Sequence, residues 1–257
     1  MLKITTNSLN QEQLKELFGN HLEVCVSVHN FERRWCWQLS SLLEQGAPVL
    51  VTAAYIMGTG TPMVSEVADY FNAINPGNLY VRTMMYPDHE RFQFRGLVRT
   101  DQVKVSVGKR LLFTDADMLV PPGWCEAALN PEFPDHLCLH TGRYSTLLDE
   151  TNRVVNGLEY PVRVVSAWDT VSGMEAVRMA DIGAGFCQII GGDFIRDRGY
   201  YVKEEENRDG RWEKRAVYRS DKQFRVSTGK QAVPLPYMFH LQHERDTTAG
   251  CHLTHQR

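Results

Sequence analysis

Asp115 and Asp117 flank a single alanine directly after the apolar run Leu111-Leu112-Phe113-Thr114. Two carboxylates at alternating positions offer hard oxygen ligands, which suit Mg²⁺ or Mn²⁺ bridging a diphosphate. A cation held there would neutralise a departing diphosphate. The pair is not an EF-hand loop, because the glycine and the closing glutamate that such a loop needs are missing. Other residues that could do chemistry lie far off in the sequence. They are His29 and Asn30, Arg99, the Gly191-Gly192-Asp193 stretch, Asp221, and the histidines His240 and His243.

These side chains need a scaffold. Val24 to Val28 and Val49 to Ile56 read as apolar strands, with an amphipathic helix between them from Phe31 to Gln45. A helix opening at Thr61-Pro62 and running to about Ile74, a turn at Asn75-Pro76-Gly77-Asn78 and a strand from Leu79 to Met85 follow. Arg91 to Val107 reads as a helix stopped by Gly108, and Arg110 to Thr114 as the strand that delivers the two aspartates. Repeated strand–helix units imply a mostly parallel sheet with helices on both faces. In such sheets ligands bind beyond the carboxyl ends of the strands. The second half is less regular. Pro121-Pro122-Gly123 opens a short helix and Leu137 to Thr141 reads as a strand. Thr146 to Ala180 reads as loops with short elements, and Lys203 to Arg215 as an exposed loop or hairpin.

The 257 residues are 43% hydrophobic and 23% charged, enough for a sizeable core in one α/β domain. A formal net charge of −3 gives no basic field, so nucleic acid is not the expected partner. Met1 to Asn20 is polar and mildly helical and lacks the pattern of a signal peptide. No apolar run approaches the roughly 20 residues of a membrane span. The six cysteines are scattered, with no C-x-x-C pair, as expected for reduced thiols in a cytoplasmic protein.

The segment from Arg99 through Gly108 to Asp115-Ala116-Asp117 resembles the core signature of A-type (GT-A) glycosyltransferases, and the family-2 group in particular. The spacing is the same, although Thr100 stands where that group has asparagine. His240-Leu241-Gln242-His243-Glu244-Arg245-Asp246 is similar to the His-x-Arg-Asp of β-1,4-galactosyltransferase-like enzymes. The resemblance implies a single domain over 1–257. Residues from about 20 to 120 would bind a nucleoside-diphosphate sugar, UDP-sugar favoured. Residues 121–257 would form a smaller mixed or antiparallel half that binds the acceptor, a glycan or small molecule.

It also implies roles. Val28, His29 and Asn30 would receive the base and ribose, and Arg99 the nucleotide or diphosphate. Asp115, Asp117 and His243 would hold Mn²⁺ or Mg²⁺, with His240 as the alternate and Asp115 also placed to touch the ribose. Gly191 and Gly192, with Gly183-Ala184-Gly185-Phe186, would line the acceptor. Asp221, at a helix start with Ser220 in place of the usual glutamate, would be the general base of an inverting transfer, and Asp193 the runner-up.

Two other readings stay open: a nucleotide-sugar-binding protein without turnover, and a phosphatase of the haloacid dehalogenase type. The second also places D-x-D after an apolar strand, and Thr141 and Gly192-Asp193-Phe194-Ile195-Arg196-Asp197 imitate its later motifs. Against it, no lysine occurs between Lys109 and Lys203, and several strand–helix units precede the aspartates.

Overall fold

The computed structural model describes residues 3–5, 9–56, 64–74, 77–87, 92, 94–159, 161–179, 185–200 and 214–243, with 3–5 and 214–220 as backbone only. Two strands without polar alternation lie at its centre, β2 (Leu22–Val28) and β3 (Val49–Ile56). Every residue of β3 is buried, as expected of a parallel strand covered on both faces. They join β1 (Lys3–Thr5), β4 (Leu79–Tyr86), β5 (Arg110–Asp115), β7 (Cys138–His140), β10 (Cys187–Gly191) and β11 (Lys230–Ala232) in one sheet. Its order is β1-β4-β3-β2-β5-β10-β7-β11. The run β4-β3-β2-β5 is parallel, whereas β10 is antiparallel to both of its neighbours.

A second sheet, ordered β6-β12-β8-β9, is built from β6 (Met118–Leu119), β8 (Arg143–Thr146), β9 (Ala176–Met179) and β12 (Met238–His240). The expected mostly parallel sheet with a smaller mixed sheet is therefore present.

Helices cover both faces of the large sheet. Leu22, Val24, Val26 and Val28 pack with Trp35 and Leu39 of α2 (Glu32–Leu43) and with Val67 and Phe71 of α3 (Val64–Ile74). On the opposite face Cys25, Leu111 and Phe113 meet Val103 of α4 (Arg95–Val105). α1 (Gln11–Phe18), started by an Asn10–Gln13 capping box, lays Leu14 and Phe18 over Leu50 and Val107. α5 (Trp124–Ala128), α6 (Leu148–Asn156), α7 (Ala167–Ser172), α8 (Gly192–Arg198) and α9 (Lys214–Thr228) complete the described elements. No described helix is long and apolar enough to cross a membrane.

Two features matter for the site. The glycine-rich stretch before Asp193 holds β10, which is inserted between β5 and β7; its cysteine, isoleucines and glutamine are all buried. α6 and α7 are short elements within the stretch from Thr146 to Ala180, and their apolar residues Val155, Ala167 and Val171 cluster with Phe239 and Leu241. The Lys203–Arg215 stretch, expected as an exposed loop or hairpin, lies outside the described residues except for Lys214 and Arg215, which begin α9; Cys251 also lies outside them. The other five cysteines are buried and free.

The chain order fixes where a ligand can enter. From β2 the chain steps outward through β3 to β4, then returns to place β5 on the other side of β2. The direction of winding thus switches between β2 and β5. A crevice opens at such a point, outside the carboxyl ends of the two strands.

Candidate active site

β2 and β5 end side by side, with Ser27 paired to Asp115. The β2–α2 turn and the Asp115-Ala116-Asp117 turn therefore leave the sheet at the same edge. Gln38 of α2 clamps the second turn, its side-chain amide donating to the carbonyls of Asp115 (2.7 Å) and Met118 (2.9 Å). In the first turn Asn30 takes a left-handed backbone (φ 59°), which asparagine tolerates better than most residues. His29 and Asn30 thus stand at the crevice mouth. The Val28 side chain is buried in the core, so only its backbone faces the turn.

β6 continues from Asp117 and pairs with β12, setting His240 opposite Met118. The Leu241 amide donates to the Asp117 carbonyl at 2.9 Å. This pairing brings two imidazoles onto one carboxylate: Nε2 of His240 lies 3.2 Å and Nε2 of His243 3.3 Å from Asp117 Oδ2. His243 is held edge-on against Phe31, with ring centroids 4.6 Å apart. Asp117, His240 and His243 can present ligand atoms all within 4.8 Å of one another. Burial pushes the Asp117 carboxyl up, but the two histidines pull it further down, below its ordinary value.

The donor set fits a divalent transition ion. Two nitrogens and a carboxylate oxygen converging this closely repel one another unless a proton or cation lies among them. The second oxygen, Asp117 Oδ1, is buried without a hydrogen-bond partner among the described residues, a costly state that an ion would relieve. Imidazole suits Mn²⁺ better than Mg²⁺, whose preferred partners are oxygens.

Asp115 does not join that group. Its Oδ1 is 3.2 Å from Arg95 Nη1 at the start of α4. One turn along, Arg99 is buried, and all its bonds point inward. Nη1 donates to Asp221 Oδ1, to the Tyr200 hydroxyl (2.8 Å) and to Gln188 Oε1 (2.8 Å); Nη2 donates to the Gly185 carbonyl (3.0 Å). The expectation that Arg99 binds a diphosphate is therefore replaced: its guanidinium is committed to holding Asp221.

Asp221 lies inside α9, not at a helix start. Tyr200 also donates to its Oδ1, at 3.0 Å. Its Oδ2 lies against Gly185, where an added Cβ would sit 2.1 Å from that oxygen. Burial raises the Asp221 carboxyl, yet Arg99, then Arg95, the Tyr200 hydroxyl and Arg225 outweigh it and leave it below its ordinary value. Since Cys187 pairs with Thr114, Gly185 and Asp221 sit at the same edge of the sheet as Asp115.

Gly191, Gly192 and Asp193 do not. Gly191 pairs with Arg110 at the start of β5, about 16 Å from Asp115 at the usual rise per strand residue. A Cβ on Gly191 would strike Asp135, and one on Gly192 the Gly108 carbonyl, so both glycines serve packing. The Asp193 side chain is fully exposed and pairs with Arg196 of its own helix. Neither an acceptor surface nor a general base at this end can reach the crevice. The same register removes the dehalogenase arrangement, which needs its later acidic motif beside the D-x-D. Aromatic rings can stack on a sugar, but Tyr200 is buried on Phe224 and Trp168 packs against Phe239. Trp212 and Tyr201 lie outside the described residues.

Sequence reasoning missed Arg95, Gln38 and Gln188. Only Arg95 left a trace, as a second arginine four residues from Arg99 on one helix face.

No protein-family model and no curated protein matches the chain. Among solved structures it is similar to GalNAc-T7 with UDP, GalNAc and Mn²⁺ (14% identity, TM-score 0.48, covering 86% of this chain and 43% of that one). It is also similar to the mannosyltransferase PcManGT from Pyrobaculum calidifontis in complex with GDP-Man and Mn²⁺ (13%, TM-score 0.41, covering 65% and 56%). A third is the galactosyltransferase LgtC in complex with donor and acceptor sugar analogs (12%, TM-score 0.42, covering 85% and 86%). The chain thus spans about half the length of the first two.

Proposed function

We propose that this chain is a metal-dependent glycosyltransferase that moves a sugar from a nucleoside-diphosphate sugar to an acceptor hydroxyl with inversion. The observation that carries the reading is the Asp117–His240–His243 group at the switch point between β2 and β5, with a buried carboxylate oxygen of Asp117 left unsatisfied. Those three residues would hold Mn²⁺ or Mg²⁺, Mn²⁺ favoured by the two imidazoles. A bound divalent ion supplies charge neutralisation to a departing diphosphate.

The remaining roles fall to the chain's own groups. His29 and Asn30 stand where a base and ribose enter. Arg95, half-exposed at the first turn of α4, presents a cation beside Asp115 that can turn from that carboxylate to a phosphate. Asp221 is the general base. Arg99 and Tyr200 fix its Oδ1, and Oδ2 on the Gly185 side is left to take the proton of the acceptor hydroxyl as its oxygen attacks the anomeric carbon. A carboxyl held below its ordinary value is ionised at neutral pH, the state a base requires. The acceptor is a glycan or small molecule and the donor a UDP-sugar in this reading.

A thermal-shift panel of nucleoside diphosphates and their sugars, with and without Mn²⁺, tests it, because a ligand selective for the folded state raises its stability. The expected result is a Mn²⁺-dependent rise with one nucleotide, absent in Asp117→Ala. If no nucleotide raises the transition with Mn²⁺ present, the reading is wrong. Binding without release of nucleoside diphosphate, across a panel of acceptors, would favour a binding-only protein.

A further inference from the structure

His240 has a second hydrogen bond, on the side of the ring away from Asp117. Its Nδ1 is 3.0 Å from Ser145 Oγ, and the Ser145 hydroxyl in turn donates to Gln242 Oε1 at 2.9 Å. A serine hydroxyl has a single hydrogen. With the Gln242 side-chain oxygen turned toward it, Ser145 gives that hydrogen to Gln242 and accepts from Nδ1–H of His240. When Nε2, 3.2 Å from Asp117 Oδ2, binds a cation, the ring proton lies on Nδ1, where Ser145 is placed to accept it.

The pieces are held rigidly. Ser145 lies directly across from His240 in the parallel β8–β12 pair and is buried. The neighbouring Thr146 hydroxyl donates to the His240 carbonyl (3.1 Å) and accepts from the Gln242 amide (3.1 Å). Arg34 donates to the Gln242 carbonyl at 3.3 Å. Gln242 therefore cannot drift from Ser145 without breaking the chain's attachment to β8.

We infer that Ser145 and Gln242 are positioning residues for the ion site: the Gln242 side-chain carbonyl orients the Ser145 hydroxyl, which orients His240 and reserves Nε2 as the ligand atom. The inference rests on the ion-site reading above and adds the part that selects which nitrogen binds. Outer partners of this kind affect metal affinity by roughly 10–100-fold.

The experiment is a Mn²⁺ titration of the full chain followed by the electron paramagnetic resonance signal of free Mn²⁺. Wild type is compared with Ser145→Ala, Ser145→Thr and Gln242→Met, and the thermal midpoint of each is recorded without metal. Ser145→Ala is expected to bind Mn²⁺ about 10–100-fold more weakly, and Gln242→Met to lie between it and wild type. Ser145→Thr, which keeps the hydroxyl, is expected to restore binding to within a few-fold, on the order of the lower end of that range.

A merely structural role would lower the metal-free midpoint and leave affinity alone. Nitrogen-15 spectra of the protein loaded with a diamagnetic divalent ion give a second readout, with the His240 proton expected on Nδ1. Equal Mn²⁺ affinity in wild type and Ser145→Ala, or a His240 proton on Nε2, would overturn the inference while the ion site stands. Failure of wild type itself to bind Mn²⁺ would remove the ion site and this inference together.

Discussion

Replacing Arg99 by methionine tests the link between fold and catalysis most sharply. The guanidinium is buried, with a side-chain exposure of 5%, and its partner Asp221 is 20% exposed, so solvent screens the pair little. Removing the cation leaves a mostly buried carboxylate with the Tyr200 hydroxyl and the weaker fields of Arg95 and Arg225 to stabilise it. Breaking such a pair from one side costs about 3–5 kcal/mol. We take the lower end, about 3 kcal/mol, because Asp221 keeps some contact with water. For a chain of this size that lowers the thermal midpoint by roughly 6–12 °C.

The loss must depend on pH. In wild type the Asp221 carboxyl is below its ordinary value, so its contribution is present above the unfolded pKa of about 3.9 and lost as pH falls through the lower folded value. Without Arg99 burial dominates and the carboxyl rises, so the variant is penalised most at neutral pH. The gap between the two proteins should shrink as pH falls from 7 toward 4. Urea denaturation at several pH values, with Asp221→Asn in both backgrounds, measures it. A pH-independent gap, or a coupling between the two sites below about 0.5 kcal/mol, would refute the pairing argument.

Gly185→Ala places a methyl 2.1 Å from Asp221 Oδ2 and must turn that carboxylate away; turnover should fall at least ten-fold, on the order of one misplaced general base, while Mn²⁺ binding stays. Arg95→Ala breaks a half-exposed ion pair, so stability should change by less than about 1 kcal/mol, whereas calorimetry should show weaker donor binding. Glu23→Leu should cost several kcal/mol in urea denaturation, of the order of about 3–5, because buried Arg82 (2.6 Å) and the amides of Val107 (2.7 Å) and Gly108 (3.0 Å) lose their shared acceptor. The five described cysteines should resist a thiol reagent until the chain unfolds: all are buried, and burial pushes Cys138 and Cys187 up to about 12.

The sequence by itself determined the parallel half of the molecule. Apolar runs such as Val49–Ile56 and the helices between them are local patterns, and their alternation permits little besides a parallel sheet with its ligand edge at the strand ends. It also placed Asp115 and Asp117 at that edge, because a strand's end is visible where its apolar run stops. Tertiary structure alone decided how those carboxylates divide. Asp117 gains two imidazoles through the short β6–β12 pairing, and Asp115 faces Arg95 because α4 begins above it. Strands of two or three residues carry too little pattern to be read, and pairing across more than 100 residues leaves no local mark.

The glycine-rich segment shows the same limit. Gly191-Gly192-Asp193 and Gly185 look alike in sequence, but the antiparallel course of β10 carries the first three to the far end of the sheet and leaves Gly185 against Asp221. Arg99 was visible as a residue, but its role was not. A guanidinium that binds a ligand and one that holds a buried carboxylate differ only in what the fold brings to meet them.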